Sequence, residues 1–264
     1  MKYFALALMT IAAFGQMKDN RDKSLACNDD NNRGRQERAC LISEQTVPSI
    51  GRLSVDAGQN GGVSVKGWSQ SQTLVRVKIE AWADTASDAK AIASQVHSDN
   101  TGGQVRASGP QSQNNSGWAV SYEVFVPFST DLNLTAINGG IHITDVRGHI
   151  EFKTLNGGVH LARIGGDVSG ATQNGGVHVA LEGSRWDGSQ LEVKTQNGGV
   201  HLDVPNNYSA RIKSETVNGG INSDFPLQLV NGERRPRNVD LTVGSGGALI
   251  HVTTVNGGVQ VKKI

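Results

Sequence analysis

The chain has 264 residues, a net charge of +1, 33 glycines and only 5% aromatic residues. So balanced a charge gives no electrostatic case for nucleic acid or for an anionic membrane surface. Glycine well above the roughly 7% of average usage, without a matching excess of proline, reads as many short strands joined by tight corners. At the N-terminus, Met1-Lys2 and the apolar run Tyr3 to Phe14 have the make-up of a secretion signal, too short to span a bilayer. Ala13-Phe14-Gly15 sets small residues for cleavage before Gln16, so residues 1–15 are expected to be a signal peptide. A buried N-terminal helix fits less well, because Met17 to Asp30 turns polar with no amphipathic period. The cleaved signal sets the expected location as secreted, periplasmic or cell envelope, and no later segment has the apolar length of a transmembrane helix, so the mature chain is expected to be soluble. Residues 16–45 are expected to be a disordered leader. Its two cysteines, Cys27 and Cys40, are the candidate disulfide of an exported chain.

From residue 46 to 264 the chain reads as one domain, interrupted over 66–130. Within the interruption, Thr73 to Ala83 alternates as a strand, and Asp84 to Val96 is an alanine-rich helix. Trp118 to Phe128 is a further strand stretch, and the whole insertion is expected to cap an open end of the repeat.

The repeat is the triplet Asn-Gly-Gly, at Asn60, Asn138, Asn156, Asn174, Asn197, Asn218 and Asn256. From Asn138 the copies lie 18, 18, 23, 21 and 38 residues apart. Apolar residues recur two apart before it (Ile150, Phe152, Thr154; Leu191, Val193, Thr195) and after it (Val159, Leu161; Val200, Leu202). A period of two is a strand with one buried face. Each repeat is therefore strand, Asn-Gly-Gly corner, strand and a second, more variable corner. The corner glycines supply either a positive φ or a close backbone approach. The Asn is in phase with the inward residues and is expected to face the interior, where stacked side chains would bond to one another. The predicted fold is all-β: a single-stranded β-solenoid, β-helix-like, of coils stacked about 4.7–4.9 Å apart. The competing antiparallel sandwich does not need one triplet at one phase.

The repeated Thr-x-Asn-Gly-Gly-Val, the stretch Val75 to Ala81 ahead of the Asp/Ala helix, and Tyr122 to Pro127 together resemble the bacterial putative-adhesin family. That family carries a domain of unknown function with Asn-Gly-Gly corners on a β-solenoid, and the likeness covers roughly residues 46 to 264. The resemblance implies surface attachment, or in some members envelope-stress sensing, and brings no functional residues with it.

Four residues after successive triplet asparagines stand His142, His160, His178 and His201, giving way to Asn222 and Gln260. Each lies between inward apolar residues and should point outward, forming a column with neighbours about 5 Å apart. Imidazoles so spaced could chelate Zn²⁺ or Ni²⁺. No carboxylate or cysteine repeats beside them, so the expectation is a solvent-facing ladder with no metal and no cofactor. Protonation near pH 6 would gather like charge along it.

Enzyme readings lack support: Asp145, Asp167 and Asp203 fall at unequal phases with no repeated carboxylate pair. No Gly-x-Ser-x-Gly motif is present, and Gly244-Ser245-Gly246-Gly247 reads as another corner. Of Trp68, Trp82, Trp118 and Trp186, Trp186 sits in a long second corner and is the candidate ligand contact. Arg234-Arg235-Pro236-Arg237 is a solvated loop or a contact for anionic envelope polymers. The expected function is a non-catalytic exported or envelope protein presenting a rigid surface for adhesion or assembly. Its partner would be an envelope or extracellular glycan or protein. A stress- or ligand-sensing module is the alternative, and a carbohydrate-active β-helix enzyme a third.

Overall fold

The computed structural model describes residues 25–27, 36–227 and 236–264. The expected signal peptide, most of the expected leader, and Arg234 and Arg235 lie outside the described residues. In chain order the elements are β1 (Glu37–Pro48), β2 (Arg52–Asp56), β3 (Val63–Trp68), β4 (Gln72–Ala83), α1 (Ala86–Gln95), β5 (His97–Thr101), β6 (Gln104–Ser108) and β7 (Gly117–Pro127). The repeats follow as β8 (Asp131–Asn138), β9 (Ile141–Thr144), β10 (Arg147–Asn156), β11 (Val159–Ala162), β12 (Gly165–Asn174), β13 (Val177–Ala180), β14 (Gln190–Asn197) and β15 (Val200–Val204). The chain closes with β16 (Ala210–Asn218), β17 (Ile221–Ser223), β18 (Asn238–Val243), β19 (Leu249–Asn256) and β20 (Val259–Lys263).

The strands form two sheets, ordered β1-β4-β7-β3-β9-β11-β13-β15-β20-β17 and β18-β16-β19-β14-β12-β10-β8-β2-β6-β5. Each coil gives one strand to each sheet, with Asn-Gly-Gly between them, and neighbouring coils pair in parallel. Inward residues stack in register as Leu132, Ile150, Val168, Leu191, Ile250 and Ile212, all buried. The core is thus a column repeated coil by coil, and the architecture is all-β and solenoid-like. Where Phe152 is large, its in-register neighbour is Gly170, and the ring takes up the space of the missing side chain.

Among the seven Asn-Gly-Gly coils, stack order departs from chain order at one place. The last coil in sequence, β19 and β20, lies between β14–β15 and β16–β17. The 38-residue gap before Asn256 makes room for this: β18 runs antiparallel along the outer edge of β16, and the chain then returns inside it.

The corner explains the triplet. A Cβ on the first glycine would meet the carbonyl oxygen of the neighbouring coil's first glycine, at 2.0 Å for Gly139, Gly157 and Gly257 and 2.1 Å for Gly175 and Gly198. None of these glycines has a positive φ, so close approach alone demands them. The second glycine is less constrained: a Cβ on Gly158 would come no nearer than 3.6 Å. Beneath the corner, Thr154, Thr172, Thr195, Thr254 and Thr216 are buried, and each donates its hydroxyl to a neighbouring glycine carbonyl at 2.7–2.8 Å.

The asparagines do not face the interior as expected. Six of the seven are exposed and Asn60 is half-buried. They still form one ladder across all seven coils, each amide donating to the next at 2.7–3.1 Å. An amide has two donors and a two-lone-pair acceptor, and the ladder uses only half of that capacity. Outside, water takes the remainder, whereas the inward hydroxyl of Thr has its one donor satisfied by a carbonyl.

The 66–130 segment does not sit over the end as a separate lid but prolongs both sheets. β7 pairs in parallel with β3, β4 antiparallel with β7, and β1 antiparallel with β4, while β6 and β5 extend the other sheet. α1 starts one turn-cap inside the expected span: the Thr85 hydroxyl accepts from the Asp88 amide at 3.1 Å, and Ala89 and Ala93 are buried. Residues 37–45, expected in the disordered leader, form most of β1. This strand buries none of its side chains fully, so composition gave no sign of it. It is held by its backbone ladder on β4, a Glu44–Arg76 ion pair at 2.6 Å and the Cys27–Cys40 disulfide.

Candidate functional site

The four histidines lie in one register on β9, β11, β13 and β15. Their in-register neighbours are Ser64 at one end and Gln260 then Asn222 at the other. The alternation that buries Ile141, Ile143, Val159 and Leu161 turns the imidazoles outward, where His142 and His201 are exposed and His160 and His178 half-buried. Ring centroids stand 5.8 Å apart for His142–His160, 4.8 Å for His160–His178 and 6.5 Å for His178–His201. The last two pairs are edge-to-face. Although its side chain reaches solvent, neighbouring atoms displace part of the water around the ring and hold His142 below the ordinary imidazole value. The same loss of water lowers His160, reinforced by His178, His142 and Arg163 and opposed by Asp203. His178 Nε2 meets an Asp203 carboxylate oxygen at 2.8 Å. Among the described residues no three His, Cys, Asp or Glu side chains converge on a common point.

The three aspartates weighed for catalysis are kept apart. Asp145, at the second corner with φ 60°, takes a bidentate contact from Arg163 at 2.6 and 2.8 Å. Asp167 stands beside His149 on the opposite sheet, and Asp203 contacts His178 of the imidazole column. Gly244 to Gly247 is the turn between β18 and β19, with positive φ at Gly244, Gly246 and Gly247.

Trp186 offers no stacking surface. It is only 6% exposed, and its indole N–H donates to the Gly166 carbonyl at 3.0 Å. It plugs the long second corner, where Gly148, Gly166 and Gly188 make a second close-approach column. These glycines share no fixed triplet, so the sequence signals them only through Val146-Arg147-Gly148 and Ile164-Gly165-Gly166.

A groove that periodicity did not single out lies on the outer face of the other sheet, about 450 Å³ in volume. Outward positions of β12 are the small Ser169 and Ala171, flanked by Glu151 and Lys153 of β10 and by Glu192 and Lys194 of β14. Lys194 pairs with Glu192 at 2.9 Å, and that hydrogen bond holds the Glu192 carboxyl below its usual range. Two coil spacings separate the walls, about 9.5 Å, the width of one extended chain laid along the strands.

A repeat module of two in-register sheets, closed by a glycine corner and an asparagine ladder, is the class that this geometry defines. The chain belongs to the Toastrack DUF4097 family, which matches residues 30–262. It is similar to the crystal structure of a putative cell adhesion protein from Clostridium sporogenes (13% identity, 86% of this chain and 100% of that one, TM-score 0.41). A putative adhesin from Bacteroides fragilis shows 12% identity over 86% of this chain and 97% of its own, with TM-score 0.33. A putative lipid binding protein from Parabacteroides distasonis shows 8% identity over 85% and 96%, with TM-score 0.30. No curated protein matches the chain. Among the described residues no helix is long and apolar enough to cross a membrane.

Proposed function

We propose that this is a non-catalytic exported or cell-envelope protein whose stacked coils present a rigid surface for adhesion or assembly. The observation that carries the reading is the register of the stack. Asn, Gly and Thr columns lock each coil to its neighbour, so outward side chains are fixed at coil spacing and a partner meets a surface already ordered. The shallow groove with its Glu/Lys walls and small floor suits one extended polar chain, a glycan or a peptide strand. The dispersal of Asp145, Asp167 and Asp203 supports binding over turnover.

The test is binding of the chain to arrays of envelope glycans and peptides, followed by the variant Lys153→Glu/Lys194→Glu. Saturable binding, weakened at least tenfold by the double charge reversal, supports the reading. Turnover of a polysaccharide, or binding indifferent to the reversal, contradicts it. A sensing module is the second reading, favoured by the four imidazoles set at one outward register on consecutive coils.

A further inference from the structure

We propose that the imidazole column is a binding site for a borderline divalent transition ion, with Zn²⁺ as the reference ion, held between His160 and His178 with Asp203 as third ligand. The site is independent of the attachment reading and can be measured with no partner present.

Residue choice is the first argument. The chain has seven histidines, and four stand on consecutive coils at one outward register. Repetition of the coil does not force this. The outward register on the other sheet reads Ser54, Asn133, Glu151, Ser169, Glu192 and His251, changing chemistry at almost every step. Only where the fold itself needs a residue, as at the glycines, asparagines and corner threonines, does it otherwise repeat. The solvent-facing histidine register carries no such structural need, since Ser64, Gln260 and Asn222 occupy it at the ends.

Geometry is the second. Two nitrogens bound to one tetrahedral Zn²⁺, each at about 2.0–2.1 Å, stand roughly 3.3 Å apart. The His160 and His178 rings are 4.8 Å apart at their centroids and edge-to-face, and both side chains are partly exposed, so the proposal requires only that the rings rotate to bring one nitrogen of each to that separation. A carboxylate stands beside one of the two rings: Asp203 pairs with Ala180 in the ladder and touches His178 Nε2 at 2.8 Å, so His160 is the ligand that must turn to complete the set. On binding, that contact gives way to the ion, with the carboxylate following it. His142 and His201 flank the pair as alternative donors.

Charge is the third. Asp203 sets one carboxylate against the imidazoles, 2.8 Å from His178 Nε2, so a cation finds a negative partner at the pair. The one cation set against His160 is Arg163, whose guanidinium is drawn onto Asp145 by two hydrogen bonds. Imidazole with one carboxylate suits Zn²⁺, Ni²⁺ and Cu²⁺, not Ca²⁺ or Mg²⁺.

The experiment is titration calorimetry of the full chain, free of any histidine tag, with Zn²⁺ at pH 7.5 and with Mg²⁺ as comparison. We expect one saturable Zn²⁺ site. His160→Gln/His178→Gln should weaken it at least tenfold and Asp203→Asn threefold or more, while His97→Gln on β5 leaves it within twofold. Gln260 shows that this register accepts glutamine, so the variants should fold. As a second readout, saturating Zn²⁺ should raise the thermal midpoint of the parent chain but not that of the double variant. Affinity weaker than about 1 mM, affinity equal for Mg²⁺, or affinity unchanged in the double variant overturns the proposal.

Discussion

Adding one methyl group to either of two adjacent glycines should have opposite consequences. In Gly157→Ala the new Cβ would stand 2.0 Å from the Gly139 carbonyl oxygen, well inside van der Waals contact, so the two coils must part by about 1 Å. That oxygen is also the acceptor for the buried Thr154 hydroxyl at 2.8 Å, and the Gly157 amide itself donates to Asn174 at 3.1 Å. Overpacking costs about 1–3 kcal/mol. Two weakened hydrogen bonds add about 0.5–1.5 kcal/mol each, for a loss of about 2–6 kcal/mol. In Gly158→Ala the Cβ meets nothing closer than 3.6 Å and the φ is not positive, so the unfolded chain loses freedom at no steric cost. That change should be neutral or stabilising by up to about 1 kcal/mol. Urea denaturation followed by circular dichroism measures both. Equal midpoints for the two variants, or a Gly157→Ala midpoint matching the parent, would refute the close-approach account of the triplet.

Three further outcomes follow from the same corner and column. Thr172→Val removes a buried hydroxyl and leaves the Gly157 carbonyl unpaired, so it should cost about 1–3 kcal/mol in the same denaturation assay. Asn174→Ala breaks two rungs, to Asn156 and from Asn197, each at 2.7 Å; because water competes at this exposed site, the loss should be about 1 kcal/mol. His142 and His160 bind a proton less readily folded than unfolded, so unfolding takes up protons between their folded values and the ordinary value near 6.5. Their stabilisation is whole above that value and is lost as pH falls through it towards the folded values. Denaturation midpoints at pH 8, 6.5 and 5 should show this fall, and replacing all four column histidines by Gln should flatten it.

Much of the architecture was legible because the fold repeats itself. One triplet at one phase identified the corner, the two-residue period identified the buried face, and the outward histidine register followed from both. Asn faces outward, against expectation, because strict strand parity ends at Thr172: Gln173 and Asn174 are both exposed although Asn174 still pairs in register with Asn156 and Asn197. The interchange of the last two coils was not legible, since all the corners carry the same Asn and Gly and most the same Thr, and would stack in any order. Only the antiparallel β18 beside β16 reveals the return path. Trp186 was misplaced because a long corner suggests exposure, whereas its indole satisfies a carbonyl that the corner would otherwise strand. The groove around Ser169 and Ala171 escaped notice because it depends on side-chain size compared across three coils, which no single strand displays.

The claim on which everything else depends is that seven coils form one stack, with the C-terminal coil next to last. Spin labels placed one residue before the corner asparagine, at Gln59 paired with Val217 or with Val255, read this directly by pulsed electron resonance. At a coil spacing of about 4.8 Å the six-step pair should lie about 29 Å apart and the five-step pair about 24 Å at the backbone. A longer distance from Gln59 to Val255 than to Val217 would contradict the interchange, and two distances unrelated to whole coil steps would contradict the stack.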